Sequence, residues 1–257
     1  MANPRLLVSL LLSTLCFSAT TVAWGQSFTG FGTEVDQYIR ESAQRYQVSE
    51  VMLRGLIKME NGWKGNISPT GATGVGQFTV GTWNWLAQSA EGYDIGMRVI
   101  TPQNRGTRYD PRKNKHINTL ATGLLARWHI EQFKERGISL TNANLYMAHN
   151  IGLDGLHRAI LGKSTKEDIK NMRRNGMKSG MTVSHFLAYQ KGRYLQHQNE
   201  ANFVRRSSNV AMPNQYQTKS AAIRWVEPTQ TAANLSSPRT AKMRWIEPSD
   251  SAMRWIQ

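Results

Sequence analysis

The sequence predicts a mainly α fold, with one globular domain at residues 26–203 and a disordered tail at 204–257. Within Ile117–Lys134, apolar residues recur at positions i, i+3, i+4, i+7, i+8 and i+11, as on one helix face. Strand-like alternation is scarce, so a small hairpin is the only β structure we expect. After about Phe203, Ser, Thr, Asn, Gln, Ala and Pro dominate without a period, which is typical of a flexible segment.

Capping residues and apolar spacing define the other helices of the domain. Thr33–Tyr46 is predicted as the first helix, with Thr33 and Asp36 as its capping box. Ser49 is a suitable N-cap for the second helix. Further along we expect a short helix at TWNWLA, a helix capped by Thr141 that ends near Gly152, a last helix at VSHFLAYQKGRYLQH, and basic loops at 103–115 and 171–182.

Residues 1–25 have the features of a secretory signal peptide. Arg5 precedes an apolar core, Leu6–Phe17, which is too short to span a bilayer, and Ala-Trp-Gly at 23–25 offers a cleavage site. The alternative is an uncleaved N-terminal anchor. We expect a periplasmic or exported protein with no stable membrane span after cleavage. Because the single cysteine, Cys16, lies in this segment, the mature chain would have no disulfide.

The chain is strongly basic, with a net charge of +15. A basic protein suits a polyanionic partner, and outside the inner membrane the nearby polyanions are cell-wall polymers and lipid headgroups. The alternative is that the charge serves only solubility. We find no nucleic-acid-binding module and no zinc-ligand spacing among the histidines, so neither nucleic acid, a metal nor a cofactor is expected.

Glu60 is the candidate catalytic residue because it extends the apolar stripe of the second helix. It lies four residues after Leu56 and three after Ile57, on the same face. Desolvation raises the pKa of a carboxyl, and a protonated carboxyl can act as a general acid. We expect Gly62 to end the helix through a left-handed backbone. The alternative is a solvent-exposed glutamate at a frayed helix end.

The glycine-rich loop that follows, SPTGATGVGQ, can bring backbone close to a ligand. It lacks the Gly-Lys-Ser/Thr ending of a phosphate-binding loop. The amide of Gln77 can donate to and accept from a sugar. A plain flexible connector is the alternative interpretation.

The ordered set of Glu60, Ser68-x-x-Gly-Ala-x-Gly-x-x-Gln77 and Thr82 resembles the signature of soluble lytic transglycosylase (SLT) type, lysozyme-like domains. YDPRKNKHINTLATGLL resembles the Asp/Asn-Pro segment of that family, and YMAHNIG resembles its Ala-Tyr-Asn-Ala-Gly element. The resemblance covers roughly Val35 to Tyr194.

This resemblance implies an α+β lysozyme-like fold with a cleft for peptidoglycan glycan strands. It implies that Glu60 protonates the glycosidic oxygen between MurNAc and GlcNAc and then deprotonates the C6 hydroxyl, which attacks C1 to form 1,6-anhydro-MurNAc. The residues expected to contact substrate are Ser68, Gln77, Thr82, Tyr146, His149, Asn150 and Tyr189.

Two other functions stay open. A muramidase of the same fold would use water and usually needs a second carboxylate. No residue between Glu60 and Glu91 is acidic, and Asp110 is expected to cap the next turn. The other alternative is a non-catalytic wall-binding scaffold protein.

Two residues depart from the family pattern. Gly76 stands where many relatives have Met, which would remove an apolar wall, and His149 replaces the Tyr beside Asn150. His149 can bond either to Glu60 or, as a core histidine, to a backbone carbonyl. Tyr146, one turn earlier, can supply a hydroxyl instead.

The tail contains a recurring Arg-Trp-Val/Ile-Glu-Pro motif: IRWVEP from Ile223, MRWIEP from Met243, and the shorter MRWIQ from Met253. Arg and Trp are frequent interaction hot spots, and repetition on a tether allows avidity. We expect docking to an envelope assembly such as a secretion or conjugation apparatus. The alternatives are direct wall binding and a tail without a partner.

Overall fold

The computed structural model describes residues 28–207, so the signal peptide and the tail motifs lie outside the described residues. Within this range the chain is mainly helical and has no β-strand. The expected hairpin is reduced to one antiparallel bridge between Thr73 and Phe78. The helices are α1 (Thr33–Tyr46), α2 (Glu50–Glu60), α3 (Val80–Ala87), α4 (Ala90–Asp94), α5 (Lys115–Arg136), α6 (Asn142–Ile151), α7 (Leu153–Ile160), α8 (Lys166–Arg174) and α9 (Val183–Ser207), with a 3₁₀ turn at Pro111–Lys113.

The core lies between α1, α2, α5, α6 and α9. Helix α1 packs on α5, and α2 packs on α9. The stripe on α2 that the sequence predicts is buried, since Met52, Leu53 and Ile57 have no exposed surface. Burying such side chains contributes about 1.5–3 kcal/mol each, so the apolar face of α2 is fixed in the core.

Polar bonds further fix α2 along its length. The buried Arg54 guanidinium pairs with Asp36 of α1 and lies 3.5 Å from the carbonyl oxygen of Ala201 in α9. The Tyr194 hydroxyl donates to the carbonyl of Met52 at 3.1 Å. Because a buried cation is costly unless it is paired and hydrogen-bonded, these contacts hold α2 in one position between α1 and α9.

Several local predictions are confirmed. Ser49 caps α2 by accepting from the N–H of Met52, and Thr141 caps α6 by accepting from the N–H of Asn144. Helix α5 contains the whole predicted segment. The capping box at Thr33 is wrong: Gly32 is the N-cap and no side chain bonds there, because Thr33 is already the first helical residue.

The second basic loop is predicted too early. Residues 171–174 form the end of α8, whose N-terminus has a capping box made by Thr165 and Asp168. The sequence reading also misses the short helices α4 and α7. Across residues 28–207, the helices are too short or too polar to cross a lipid bilayer.

Candidate functional site

Glu60 is the last residue of α2, and Gly62, two residues later, lies against Gly74 of the glycine-rich loop. The residue that takes up the left-handed backbone is Asn61, with φ 56°, and its N–H bonds to the carbonyl of Ile57. The expectation that Gly62 does this is therefore wrong, since Asn tolerates this conformation. Gly62 is needed for space instead: a Cβ there would lie 2.0 Å from the carbonyl oxygen of Gly74.

The Glu60 carboxyl is an acid that stays protonated near neutral pH. The side chain is half-buried and densely surrounded by protein, and this desolvation raises its pKa to about 8. The charge of Arg193 opposes the shift. Within residues 28–207, no hydrogen bond or ion pair holds this carboxyl. An unpaired carboxyl of this kind can donate its proton to a ligand.

Tyr146 of α6 lies behind Glu60. Burial and the negative charge of Glu60 raise the pKa of Tyr146 well above its ordinary value, so its hydroxyl stays protonated. Its ring stacks on Tyr194, with centroids 4.9 Å apart and planes 10° apart. The pair joins α6 to α9 and forms a rigid back wall for the acid.

His149 points to the loop rather than to Glu60. Its Nε2 lies 2.8 Å from the carbonyl oxygen of Gly76 and donates to it. Burial lowers the pKa of His149 to about 4, against a smaller opposing effect of this hydrogen bond. The ring is therefore neutral at pH 7. Of the two interpretations of this histidine, the structure shows the bond to a backbone carbonyl.

The space that a side chain at position 76 would need is filled. A Cβ on Gly76 would lie 2.2 Å from Oγ1 of Thr122 in α5 and 3.1 Å from the ring of Phe78. The Phe78 ring in turn meets the His149 ring edge-on, with centroids 5.8 Å apart. The space beside Gly76 is thus filled by Thr122 and the buried Phe78 ring, which leaves no room for a side chain at this position.

Two residues missed in the sequence hold the loop from below. Asn118 of α5 accepts from the N–H of Gly76 at 2.8 Å and donates to the carbonyl of Arg112. Arg112 is buried and donates to the carbonyls of Gly71 and Phe78 at 3.0 and 2.9 Å. Asn118 is a polar residue among the apolar residues of α5, and this break in the apolar pattern could have identified it from the sequence.

Asp110 is not available as a second catalytic carboxylate. Its carboxylate accepts from the backbone N–H and the guanidinium of Arg112, which holds the pKa of Asp110 below its ordinary value despite burial. The predicted capping role is confirmed, since Asp110 is the N-cap of the 3₁₀ turn. The pair serves to support the glycine-rich loop.

The predicted substrate-binding residues in and beside the glycine-rich loop form hydrogen bonds within the protein. Ser68 Oγ accepts from the N–H of Ala72, and the Thr82 hydroxyl lies 3.1 Å from that of Thr79, the N-cap of α3. Gln77 Nε2 donates to the carbonyls of Asn66 and Gly74. The amide hydrogens of Gln77 are therefore committed to the loop, which leaves its Oε1 to accept from a ligand.

Asn150 and Tyr189 lie on the opposite side. Asn150 Nδ2 donates to Asn175 Oδ1 at 3.3 Å, and its own buried Oδ1 has no partner in the described part of the chain. Tyr189 of α9 is half-buried, and the cations of Lys178 and Arg193 lie over its ring. An orphaned buried acceptor of this kind is a suitable partner for a sugar hydroxyl.

A family model described as "Transglycosylase SLT domain" matches residues 37–172. The chain belongs to this family. The match includes Glu60, the glycine-rich loop, and the α6 residues Tyr146, His149 and Asn150. No curated protein and no solved structure matches the chain.

Membership of the SLT family establishes the lysozyme-like superfamily that the sequence resembles. It also supports an action on peptidoglycan, and the observed helical architecture agrees with it. The match ends within α8, so Tyr189 and the rest of α9 come from outside the matched region.

Proposed function

We propose that the protein is an exported lytic transglycosylase that cleaves the MurNAc–GlcNAc β-1,4 bond of peptidoglycan and leaves a 1,6-anhydro-MurNAc end. The observation that carries the proposal is the Glu60 carboxyl, whose pKa of about 8 arises from desolvation. No second carboxylate is among the groups that shift it. A lone acid of this kind fits a reaction in which one residue serves both as acid and as base.

Glu60 begins the reaction protonated and donates to the glycosidic oxygen as the bond from this oxygen to C1 of MurNAc breaks. The resulting carboxylate then removes the proton of the C6 hydroxyl of the same sugar while the C6 oxygen bonds to C1. The carboxyl is protonated again at the end, and no water is consumed. Since the pKa of Glu60 lies near the operating pH, both proton transfers are feasible.

The neighbours of Glu60 position the sugar. The back wall formed by Tyr146 and Tyr194 limits water behind the acid, and the unpaired Oδ1 of Asn150 accepts from a sugar hydroxyl. The glycine-rich loop, held by His149, Asn118 and Arg112, closes the opposite side. Such a preorganised cleft lowers the entropic cost of bringing the C6 oxygen to C1.

A hydrolytic muramidase is the alternative with the same acid. An ordinary hydrolase uses a second carboxylate to activate water or stabilise charge. Asp110, the other acid considered from the sequence, is bound to Arg112. Because no second carboxylate is among the groups that shift the pKa of Glu60, we favour the anhydro product over hydrolysis.

Mass analysis of products from digested sacculi tests the proposal. Anhydro ends are lighter than reducing ends by one water molecule, so the product mass separates the lyase from the muramidase. The Glu60→Gln variant should release no muropeptides, whereas Glu135→Gln, at an exposed position of α5, should match the parent. Parental activity in folded Glu60→Gln protein would contradict both enzymatic proposals and favour the scaffold.

We also propose that the tail docks the enzyme to an envelope assembly, so that the wall is opened locally. The support is the repeated Arg-Trp-Val/Ile-Glu-Pro motif. Deletion of residues 208–257 should leave sacculus digestion in vitro intact and abolish the function of the assembly in cells. If the deletion lowers sacculus digestion instead, the tail binds the wall itself.

A further inference from the structure

A groove with exposed cations lies between the end of α8 and the start of α9. Its apolar lining comes from half-buried side chains, and its charge comes from the exposed Arg173 and Lys178. The apolar residues are Ile169, Met177, Met181 and Val183. The groove therefore offers an apolar floor with positive charge beside it.

A chain of contacts joins this groove to the proposed acid. Lys178 Nζ lies 5.3 Å from the centroid of the Tyr189 ring, and Arg193 Cζ lies 5.7 Å from the same centroid. Arg193 is also the cation whose charge acts on Glu60. The Tyr189 ring thus links Lys178, which lines the groove, to Arg193, the cation that acts on Glu60.

The cations of this region have no acidic partner within residues 28–207. Arg173 and Lys178 form no ion pair there, and Arg193 donates to the neutral Oε1 of Gln190 at 3.1 Å. Lys178 shares the groove with Arg173 and the Tyr189 ring with Arg193, so these like charges repel one another, and an anionic ligand that binds near Lys178 reduces this cost. The groove is therefore complementary to a ligand that has carboxylates and short aliphatic groups.

We infer that this groove binds the stem peptide of peptidoglycan through its carboxylates, so that the enzyme prefers peptide-bearing glycan to bare glycan. The inference rests on the proposed function. The stem peptide is attached to the lactyl group of MurNAc, the sugar whose C1 reacts beside Glu60. A peptide that leaves this sugar towards α9 meets Arg193 first and then Lys178 and the apolar floor.

The test compares two substrates: glycan strands with their stem peptides, and the same strands after an amidase has removed the peptides. The parent should have a higher kcat/KM on the peptide-bearing strands. In the double variant Arg173→Gln/Lys178→Gln, the ratio of the two values should fall about fivefold, since exposed ion pairs each contribute little. Added salt should reduce the parental ratio in the same direction.

The matched control is Arg98→Gln/Lys134→Gln, which removes the same two charges at exposed positions outside the groove and should keep the parental ratio. An unchanged ratio in the groove variant, or an equal fall in the control, overturns the inference and leaves the proposed function intact. A chain without residues 208–257 that loses the preference would also overturn it, because the groove would then act through the tail. If the parent cleaves neither substrate, the proposed function itself fails.

Discussion

His149 Nε2 donates to the carbonyl oxygen of Gly76 at 2.8 Å, and this bond links the two positions at which the chain departs from the family pattern. The N–H of Gly76 is held at the same time by Asn118 Oδ1. The backbone at position 76 is therefore fixed from α6 on one side and from α5 on the other. A histidine without a charge is suited to this role because it donates to the carbonyl without placing an unpaired cation in a buried position.

The neutral state of His149 predicts an acid-sensitive fold. Its folded pKa of about 4 lies below the ordinary value of 6.5, so the unfolded chain binds a proton that the folded chain excludes. The contribution of His149 is therefore intact above pH 6.5 and is lost as the pH falls towards 4, by about 2–3 kcal/mol. Denaturant unfolding of His149→Gln should show a flatter decline over this range than the parent.

The exposed His185 is the control for this measurement. His185→Gln should reproduce the parental dependence on pH. If His149→Gln also reproduces it, the imidazole is not held neutral by burial.

The pKa of Glu60 predicts the alkaline limit of activity. The acid step needs the protonated carboxyl, and desolvation keeps it protonated up to about pH 8. We expect kcat/KM to fall tenfold per pH unit above about pH 8. A profile that already declines from pH 5 would show that Glu60 titrates as an ordinary glutamate.

The same desolvation predicts that Glu60 lowers the stability of the fold at alkaline pH. The folded pKa of Glu60 is raised, so the unfolded chain releases its proton first and the free energy of unfolding falls as the pH rises from 4.5 to 8. Glu60→Gln should therefore be more stable than the parent at pH 8, by about 1–3 kcal/mol. At pH 4 the two proteins should be nearly equal.

Glu135→Gln is the matched variant for this comparison, because Glu135 is exposed and lies in the last turns of α5. It should not differ from the parent at either pH. Equal stability of Glu60→Gln and the parent at pH 8 would contradict the buried environment described for the acid.

Because the loop lies close to α5, a side chain at position 76 should strongly reduce the free energy of unfolding. A Cβ there would lie 2.2 Å from Thr122 Oγ1, so Gly76→Ala should reduce the free energy of unfolding by about 2–3 kcal/mol. Adding Thr122→Ala removes the oxygen and should recover about 1 kcal/mol of this loss. Chemical denaturation of the single and double variants measures the coupling.

Gly192→Ala is the control for a helical glycine with open space around it. It should stabilise α9 slightly, since alanine has the higher helix propensity. An additive result for Gly76→Ala and Thr122→Ala would mean that the contact is not the cause of the penalty.

The sequence predicts the helices that have clear caps and apolar stripes, and it predicts the raised pKa of Glu60. Ser49 and Thr141 cap helices as expected, and the stripe on α2 is buried with Glu60 at its end. These features are local, because one turn of helix determines which residues share a face. The five residues of α4 are too few to show such a stripe, and α7 begins after Gly152 without a side-chain cap to mark its start.

The surroundings of the acid could not be read from the chain because they depend on tertiary contacts. Arg112 looks like part of a basic, exposed loop, yet it is buried and bonds to two loop carbonyls. His149 has two plausible partners until the fold brings Gly76 beside it. Gly62 suggests a left-handed helix end. Its actual constraint is steric, because the carbonyl oxygen of Gly74 leaves no room for a Cβ at this position.

The packing of α2 on α9 determines how much of the chain a minimal folded fragment must contain. The family match stops at residue 172, but Tyr194 bonds to Met52, and Ala201 accepts from Arg54 beneath the acid. A fragment cut at the end of the match would expose the buried face of α2 and leave the Arg54 guanidinium without one of its partners. An expression fragment of this protein therefore has to continue through α9, and the end of the family match is a poor guide to where the chain can be cut.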